Sequence, residues 1–254
     1  MNLGFIGTGE ISSAVVTGIS TSELKDIKIL LSPRNEKRGK ELEKKFANVK
    51  RAAGNRQVLD ESNVVFLALR PEDAAETLKQ LKFRKDHTII SLIPYLKMKE
   101  LKELTYPASV ISRAVPLPSV MIHKSPVPVF NPTETALNIF KHIGEPLVVE
   151  DENHLHVLWT LTGLIAPFYD LLGSLSKWAV SKGIETETAN KYAADLYHSV
   201  LSATRKRTPV DFEELVKHAS TPGGMNEQTR REIAEKKSHD AYITAAENLL
   251  KLFD

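Results

Sequence analysis

The residues whose types and spacing most suggest chemistry stand at the start of the chain, where glycines interrupt a short apolar run. Leu3 to Ile6 has the length and side chains of a strand, Gly7-Thr8-Gly9 follows at once, and apolar residues then recur at helical spacing. Gly7 would permit the tight turn between strand and helix, and Gly9 would let the backbone approach a pyrophosphate bound at the helix N-terminus. Dinucleotide-binding turns usually carry a third glycine, three residues after the second. Ser12 stands at that position here and is small enough for the helix to pack closely on the strand. We therefore predict a dinucleotide-binding turn, with a plain strand-to-helix turn as the alternative.

The end of the second predicted strand bears on the choice of cofactor. Ile27–Leu31 is apolar, and Ser32-Pro33-Arg34-Asn35 follows it. An NAD site usually places an acidic residue here to bind the ribose 2′-hydroxyl, whereas a hydroxyl and a guanidinium suit a 2′-phosphate. The missing acid and the present base favour NADP over NAD. The alternative is that Arg34 is only the exposed beginning of the next helix.

The rest of the first half alternates strands with helices. Asn63–Leu69 is a continuous apolar run, which is typical of a central parallel strand buried on both faces. It ends at Arg70-Pro71, where proline favours the beginning of a helix. Further strands are predicted at Thr88–Ile93, Ser109–Ser112, Val127–Phe130 and Pro146–Val149. This alternation predicts an α/β fold with a doubly wound sheet of the Rossmann type over residues 1–150.

The second half has no strand pattern, and we predict an all-helical domain over residues 151–254. The predicted helices are Asn153–Lys182, with a kink or break at Pro167 and Gly173, then Thr186–Ala203, Phe212–His218 and Asn226–Leu252. These helices are more apolar than a domain of about one hundred residues could bury alone. Two copies that pack through them would bury the remainder, so we expect a homodimer.

Composition excludes several classes of function. The 254 residues contain no cysteine and carry a formal net charge of +2, so there is no thiol chemistry and no basic surface for nucleic acid. We find no targeting segment at the N-terminus and no run near the ~18 apolar residues of a membrane span, and we expect a cytoplasmic protein. Glu152, His154 and His156 could suggest a metal, but residues two apart on a helix face different directions. We interpret them as surface residues and predict no metal site.

Taken together, the order, length and motifs of the chain resemble the pyrroline-5-carboxylate reductase family, which makes proline from a cyclic imine with NADPH. The similarity rests on Gly4 to Gly9, on Ser32-Pro33, on Val65 to Pro71, on Arg113 to Pro116 and on Ser220 to Gly224. It implies that the first turn, the corner after the second strand, an asparagine near the adenosine and the strand passing the ribose all contact NADP. The cofactor residues implied are Gly7, Thr8, Gly9, Glu10, Ile11, Ser32, Arg34, Asn55, Ala68, Leu69, Arg70 and Pro71.

The resemblance also implies a substrate site, and most departures from the family lie there. Leu117 stands where the family has an asparagine, and the glycine–serine run of its first long helix is replaced by Leu161 to Pro167. The Ser220–Gly224 turn is similar to the family's loop for the substrate carboxylate. The substrate residues implied are Pro116, Ser220, Gly223, Gly224, Met225 and Asn226. Thr162 and Asn226 are the candidates for orienting the imine nitrogen or relaying a proton.

Three functions therefore stay open at this point. The first is NADPH-dependent reduction of pyrroline-5-carboxylate. The second keeps the fold and cofactor but reduces another small imine or carbonyl compound, because Leu117 and the altered helix change the substrate half. The third is a regulatory protein that binds NADP without turnover.

Overall fold

The structure, a computed structural model, describes residues 1–253 and divides into two compact units. Unit 1 comprises residues 1–159 together with Phe253, and unit 2 comprises residues 160–252. The division falls inside a helix that spans Glu152–Thr162, a little after the boundary of 150 at which the strand pattern ends. Each unit is described by itself.

Unit 1 is built on one eight-stranded sheet, as the α/β prediction requires. Its strands are β1 (Asn2–Ile6), β2 (Lys28–Leu31), β3 (Val49–Arg51), β4 (Val64–Leu67), β5 (Thr88–Ser91), β6 (Val110–Ala114), β7 (Ser125–Phe130) and β8 (Gly144–Val149). Their order is β3-β2-β1-β4-β5-β6-β7-β8. The pairs are parallel except β6 with β7, which are antiparallel. The order reverses between β1 and β4, and the carboxyl edge of the sheet at such a switch point is where α/β folds bind ligands.

Helices cover both faces of this sheet. They are α1 (Glu10–Thr21), α2 (Glu36–Lys45), α3 (Asn55–Glu61), α4 (Pro71–Lys79), α5 (Met98–Leu104) and α6 (Glu134–Ile143). The helix that crosses the unit boundary is α7 (Glu152–Thr162). One core cluster joins the sheet to α1, α2 and α6, and the other joins it to α3, α4 and α5. Phe66 of β4 stacks on Phe5 of β1, with ring centroids 4.5 Å apart, and meets the edge of Phe140. The continuous apolar runs of the sequence arise because the central strands are buried on both faces.

Unit 2 is helical, as predicted. Its helices are α8 (Ile165–Ser181), α9 (Thr186–Thr204), α10 (Phe212–Ala219), α11 (Met225–Glu235) and α12 (Ser238–Leu250). Two predicted boundaries are wrong. The first long helix breaks at Gly163-Leu164, and α8 continues through Pro167 and Gly173, because proline in the first turn of a helix removes no intrahelical hydrogen bond. The last helix is interrupted at Lys236-Lys237, where Lys237 adopts a left-handed φ of 53°.

Unit 2 leaves most of its large apolar side chains exposed. They include Leu161, Tyr169, Leu171, Leu175, Trp178, Val180, Ile184, Tyr192, Leu196, Val200, Leu201, Phe212 and Met225. By length and composition alone, the stretch Glu152–Ser181 would be sufficient to cross a membrane, with a mean hydropathy of 1.3. That stretch consists of α7 and α8, separated at Gly163-Leu164. An exposed apolar surface of this extent is typical of a binding interface.

Candidate functional site

A cleft of about 370 Å³ opens at the carboxyl edge of the sheet, where β1 and β4 lie side by side. We call it the switch-point cleft. Its lining residues come from the turn after β1, from the corner after β2 and from the segment joining β4 to α4. They are Gly7, Thr8, Gly9, Arg34, Asn35, Glu36, Ala68, Leu69, Arg70 and Asp73. The structure thus brings together residues that the sequence assigned to the cofactor from three separate segments.

The two glycines of the turn serve different purposes. Gly7 has a φ of +99°, and a Cβ on it would stand 2.3 Å from the carbonyl oxygen of Ala68, so this position requires glycine for both reasons. A Cβ on Gly9 would meet no protein atom within 4 Å. The space above Gly9 is therefore open to a ligand, which is what a backbone that approaches a pyrophosphate requires.

The beginning of α1 offers hydrogen-bond donors to the same space. The Ser13 N–H donates to the Gly9 carbonyl at 3.0 Å, so the N–H groups before it lack an intrahelical acceptor. These belong to Glu10, Ile11 and Ser12. The Ser12 hydroxyl is buried and donates to the Gly7 carbonyl at 2.6 Å, which closes the turn in the absence of a third glycine. The turn therefore presents the arrangement that binds phosphate at a helix N-terminus.

Ser32 has a role that the sequence did not reveal. Its hydroxyl, expected to contact a 2′-phosphate, is buried and accepts the Gly7 N–H at 2.9 Å. The Thr8 hydroxyl in turn donates to the Ser32 carbonyl at 2.9 Å. Ser32 therefore ties the glycine turn to the end of β2, and direct contact of its hydroxyl with a phosphate stays a prediction.

Charged side chains surround the mouth of the cleft. Arg34 Nη2 and Asp73 Oδ2 are 2.6 Å apart, in an ion pair that joins the corner after β2 to the first turn of α4. Arg70 is exposed and also lines the cleft. Asp73 gives no signal in the sequence, because an acidic residue at a cofactor ribose is expected at the end of β2, whereas this one comes from α4 on the far side of the cleft.

Five predicted cofactor residues, Ser32 among them, do not line the switch-point cleft. Glu10 is exposed on the first turn of α1, and Ile11 packs against the core. Asn55 is the first residue of α3 and Pro71 the first of α4. Their side-chain contacts with a cofactor stay predictions.

A second polar group lies inside unit 1, around the fully buried Arg113 of β6. Arg113 Nη1 donates to Glu152 Oε1 at 2.6 Å and to His156 Nε2 at 2.8 Å. The same Glu152 oxygen accepts the Met98 N–H at 2.7 Å. His156 is 3% exposed, so the interpretation of His156 as a surface residue is wrong. A charge that is desolvated in this way requires partners, and Arg113 finds them on α7.

Burial and charge decide the protonation of this group. Burial lowers the pKa of His156, and the neighbouring Arg113 lowers the pKa further, so the imidazole is neutral and accepts from the guanidinium. Burial also lowers the pKa of Arg113, the hydrogen bond that Arg113 donates to Glu152 raises it, and the guanidinium stays charged. The ring of Phe253 stacks on His156, with centroids 4.6 Å apart. The group therefore attaches α7 and the last described residue to the sheet.

The predicted substrate residues are divided between the units. Pro116 follows β6 in unit 1 and is buried. Ser220 ends α10 in unit 2, Gly224 caps α11, and Gly223 between them has a φ of +73°. Thr162 is the last residue of α7 and is half-buried.

The donors of the Ser220–Gly224 turn are partly engaged within unit 2. The Gly223 N–H donates to Glu227 Oε2 at 2.7 Å, and Asn226 Nδ2 donates to the Ala219 carbonyl at 3.1 Å. The first backbone N–H group of α11 that has an acceptor one turn earlier is that of Gln228, which donates to the Gly224 carbonyl at 3.1 Å. The N–H groups of Met225 and Asn226 therefore lie in the first turn of the helix, where an anion would be bound.

Two family models match the chain, one in each half. Residues 2–95 match the model described as NADP oxidoreductase, coenzyme F420-dependent. Residues 152–251 match the model described as pyrroline-5-carboxylate reductase dimerisation. The two matches correspond to the half that contains the switch-point cleft and to the helical half.

Relatives match over nearly the full length. Pyrroline-5-carboxylate reductase 2 of Bacillus subtilis is 26% identical, over 98% of this chain and 92% of the relative. Pyrroline-5-carboxylate reductase of Corynebacterium melassecola is 23% identical, over 96% of this chain and 94% of the relative. The length and order of the chain are therefore those of these reductases.

Solved structures share the fold. The 1-pyrroline-5-carboxylate reductase of Streptococcus pyogenes superposes with a TM-score of 0.86 at 18% identity, over 100% of this chain and 98% of the other. The Plasmodium falciparum pyrroline carboxylate reductase, solved with NADP bound, gives a TM-score of 0.84 at 18% identity, with the same coverage. At these identities the similarity establishes the fold.

Proposed function

Because the chain belongs to the pyrroline-5-carboxylate reductase family, we propose that it reduces pyrroline-5-carboxylate to proline with NADPH. The observation that carries the proposal is the switch-point cleft, in which the open space above Gly9 faces the free donors of α1. This cleft is what a dinucleotide requires, and the relatives that match the whole chain are reductases of this imine.

The residues present fit NADP at three points. The N–H groups of Glu10, Ile11 and Ser12 would bind the pyrophosphate, with the positive end of the α1 dipole behind them. Gly9 leaves room for the phosphates. Arg34 would bind the 2′-phosphate as a charged, forked donor, since its side chain is 65% exposed at the mouth of the cleft.

Reduction of an imine requires little acid or base chemistry from side chains. NADPH, when bound, supplies a hydride from carbon 4 of its nicotinamide to the imine carbon, and a proton from water or a side chain completes the amine. The protein's part is to hold the imine in position and to exclude water. We propose that the first turn of α11, at Met225 and Asn226, binds the substrate carboxylate and that Thr162 or Asn226 orients the imine nitrogen.

We also propose that a second copy of the chain covers the apolar surface of unit 2. The exposed residues of α8 and α9 form an apolar groove of about 530 Å³ that includes Leu175, Trp178 and Tyr192. The region that matches a dimerisation family, residues 152–251, contains this groove. An obligate dimer interface is apolar in the same way as a core, so a second copy is the occupant that fits.

Consumption of NADPH tests the proposed activity directly. Purified protein is mixed with NADPH and pyrroline-5-carboxylate, and loss of the reduced nicotinamide absorbance is followed together with the appearance of proline. The proposal expects stoichiometric loss of NADPH and gain of proline. A protein that binds NADPH but does not consume it when pyrroline-5-carboxylate is present would contradict the proposal.

Leu117 favours a second candidate function. Its N–H bonds the Ser125 hydroxyl at 3.2 Å, and its apolar side chain stands where the resemblance implies an amide. A substrate with less polar surface than pyrroline-5-carboxylate would suit this position, so other cyclic imines and small carbonyl compounds belong in the same assay. Turnover of one of these without turnover of pyrroline-5-carboxylate identifies a reductase of a different substrate, and binding of NADPH without any turnover identifies the regulatory protein.

A further inference from the structure

The ion pair between Arg34 and Asp73 crosses the mouth of the switch-point cleft. Arg34 lies in the corner after β2 and Asp73 in the first turn of α4, and both line the cleft. Their side chains are 65% and 33% exposed, so the pair lies within reach of a ligand and of water. The contact uses one guanidinium N–H group of the five that arginine carries.

We propose that Asp73 sets the cofactor preference of this cleft, by opposing a 2′-phosphate at Arg34 and by accepting a hydrogen bond from a ribose 2′-hydroxyl. This inference rests on the proposed function, in which Arg34 binds the 2′-phosphate. NAD sites commonly use a carboxylate from the end of the second strand for the 2′-hydroxyl. Here the carboxylate reaches the same corner from α4, on the opposite side of the cleft.

Electrostatics give the two cofactors opposite responses to Asp73. A 2′-phosphate that approaches Arg34 also approaches the Asp73 carboxylate, and the like charges repel. A 2′-hydroxyl is a neutral donor, and a carboxylate accepts from it favourably. Because an exposed ion pair is worth little in water, the phosphate can still displace Asp73 or share the guanidinium. The wild-type cleft should therefore bind both cofactors, with a limited preference for NADPH.

The neighbouring charges do not provide the same function. Glu36 also lines the cleft, but its carboxylate is 2.5 Å from Lys40 on the next turn of α2, and Lys40 lowers the pKa of Glu36. Arg70 adds a second cation at the cleft. Asp73 is the carboxylate that touches Arg34.

The test is the affinity of Asp73→Asn for NADPH and NADH, measured by nicotinamide fluorescence titration with the full-length protein at fixed ionic strength. We expect NADPH to bind about fivefold more tightly and NADH about twofold more weakly than in the wild type. Glu72→Gln is the matched control, because Glu72 is an exposed acidic residue in the same turn of α4 and does not line the cleft. It should change neither affinity appreciably.

Opposite changes for the two cofactors separate cofactor choice from a structural role of Asp73. If Asp73→Asn weakens the binding of both cofactors, Asp73 only stabilises α4, and the inference is overturned. If Glu72→Gln changes the two affinities as much as Asp73→Asn does, the effect comes from the net negative charge of this turn, and the inference is overturned as well. In an Arg34→Gln background, Asp73→Asn should lose most of its effect on NADPH, since neighbouring groups in one pair are not additive. An undiminished effect in that background would overturn it as well.

Failure of the proposed reductase activity can be distinguished from failure of the proposed role of Asp73. A wild-type protein that binds both cofactors and reduces no imine contradicts the reductase proposal, and the comparison of affinities still decides the role of Asp73. A wild-type protein that binds neither cofactor overturns both.

Discussion

The two compact units bury their apolar side chains to very different extents. Among residues 1–253, Ala189 is the one buried apolar residue that lies in unit 2, and the other buried apolar residues belong to unit 1. Unit 1 has two core clusters on the two faces of its sheet, whereas unit 2 exposes Trp178, Tyr192 and Met225 by 63%, 68% and 86%. The two units have similarly apolar sequences, but unit 1 completes its own core and unit 2 leaves most of its large apolar side chains exposed.

This difference separates the tasks of the two units. A unit with a complete core can hold the glycine turn, Ser32 and the carboxyl ends of β1 and β4 in fixed positions, as a preorganised binding site requires. A unit with an incomplete core gains its stability from association, so its structure should depend on protein concentration. Four changes test the comparison, from the largest expected effect to the smallest.

The largest effect is expected from a charge placed in the apolar groove of unit 2. Trp178→Glu would bury an unpaired carboxylate from each copy in the dimer interface, which costs about 3–5 kcal/mol per copy and weakens association roughly ten-thousandfold or more. Analytical ultracentrifugation over a range of concentrations measures the shift from dimer to monomer. Lys177→Glu, at an exposed polar position of the same helix, should leave the dimer intact. A wild-type protein that is monomeric and binds lipid vesicles through α7 and α8 would contradict the dimer.

A smaller but still large effect is expected in the core of unit 1. Phe66 is fully buried between Phe5 and Phe140, so Phe66→Ala should lower the free energy of unfolding by about 3–5 kcal/mol. Urea unfolding should give the same loss at all protein concentrations. Tyr106→Ala is the control, since Tyr106 is 80% exposed and its loss should cost little. A loss at Phe66 that varied with protein concentration would remove the distinction between the units.

The third change tests whether cofactor binding belongs to unit 1 alone. Arg34→Asp should weaken NADPH about tenfold or more and NADH far less, because it places a carboxylate beside the 2′-phosphate. Trp178→Glu, which breaks the dimer, should keep the affinity for NADPH. Calorimetric titration of both variants with both cofactors makes the comparison. Equal losses of NADPH and NADH in Arg34→Asp would exclude contact between Arg34 and the 2′-phosphate.

The smallest effect concerns the pH dependence of unit 1. The folded state lowers the pKa of His156, so the unfolded chain takes up the proton more readily, and stability falls as the pH drops below about 6.5. His156→Gln should reduce this loss between about pH 7.5 and pH 5.5, where carboxylates do not yet titrate. The remaining slope belongs in part to His87, whose pKa burial also lowers.

Thermal unfolding of His156→Gln and His154→Gln at several pH values measures that slope. His154 is exposed on the same helix, so His154→Gln should keep the pH dependence of the wild type. Identical slopes in both variants would show that His156 does not contribute.

Much of unit 1 could be predicted because its signals are local. Strand, glycine turn and helix follow one another within eighteen residues, and the apolar run Asn63–Leu69 predicts the doubly covered strand that the structure has at Val64–Leu67. The resemblance and the fold class predicted from these patterns are confirmed. The cytoplasmic location and the individual site residues stay predictions.

The features that could not be predicted depend on contacts between distant residues. Arg113 meets Glu152 and His156 from 39 and 43 positions away, and no pattern in either segment records the pairing. Asp73 meets Arg34 in the same way across 39 positions. The residue types after β2 predict that the Ser32 hydroxyl and the Arg34 guanidinium bind a 2′-phosphate, and only the fold shows that this hydroxyl accepts the Gly7 N–H. Buried polar side chains are therefore where sequence patterns are least informative.

The central claim is that the switch-point cleft holds NADPH so that its hydride reduces pyrroline-5-carboxylate. The most direct measurement uses NADPH in which both hydrogens at carbon 4 of the nicotinamide are replaced by deuterium, with mass spectrometry of the product. We predict proline with one deuterium at the former imine carbon, and much slower formation of the labelled product by Arg34→Asp at cofactor concentrations that just suffice for the wild type. Oxidation of the labelled NADPH without deuterium in proline, or labelled proline formed equally well by Arg34→Asp, would contradict the account.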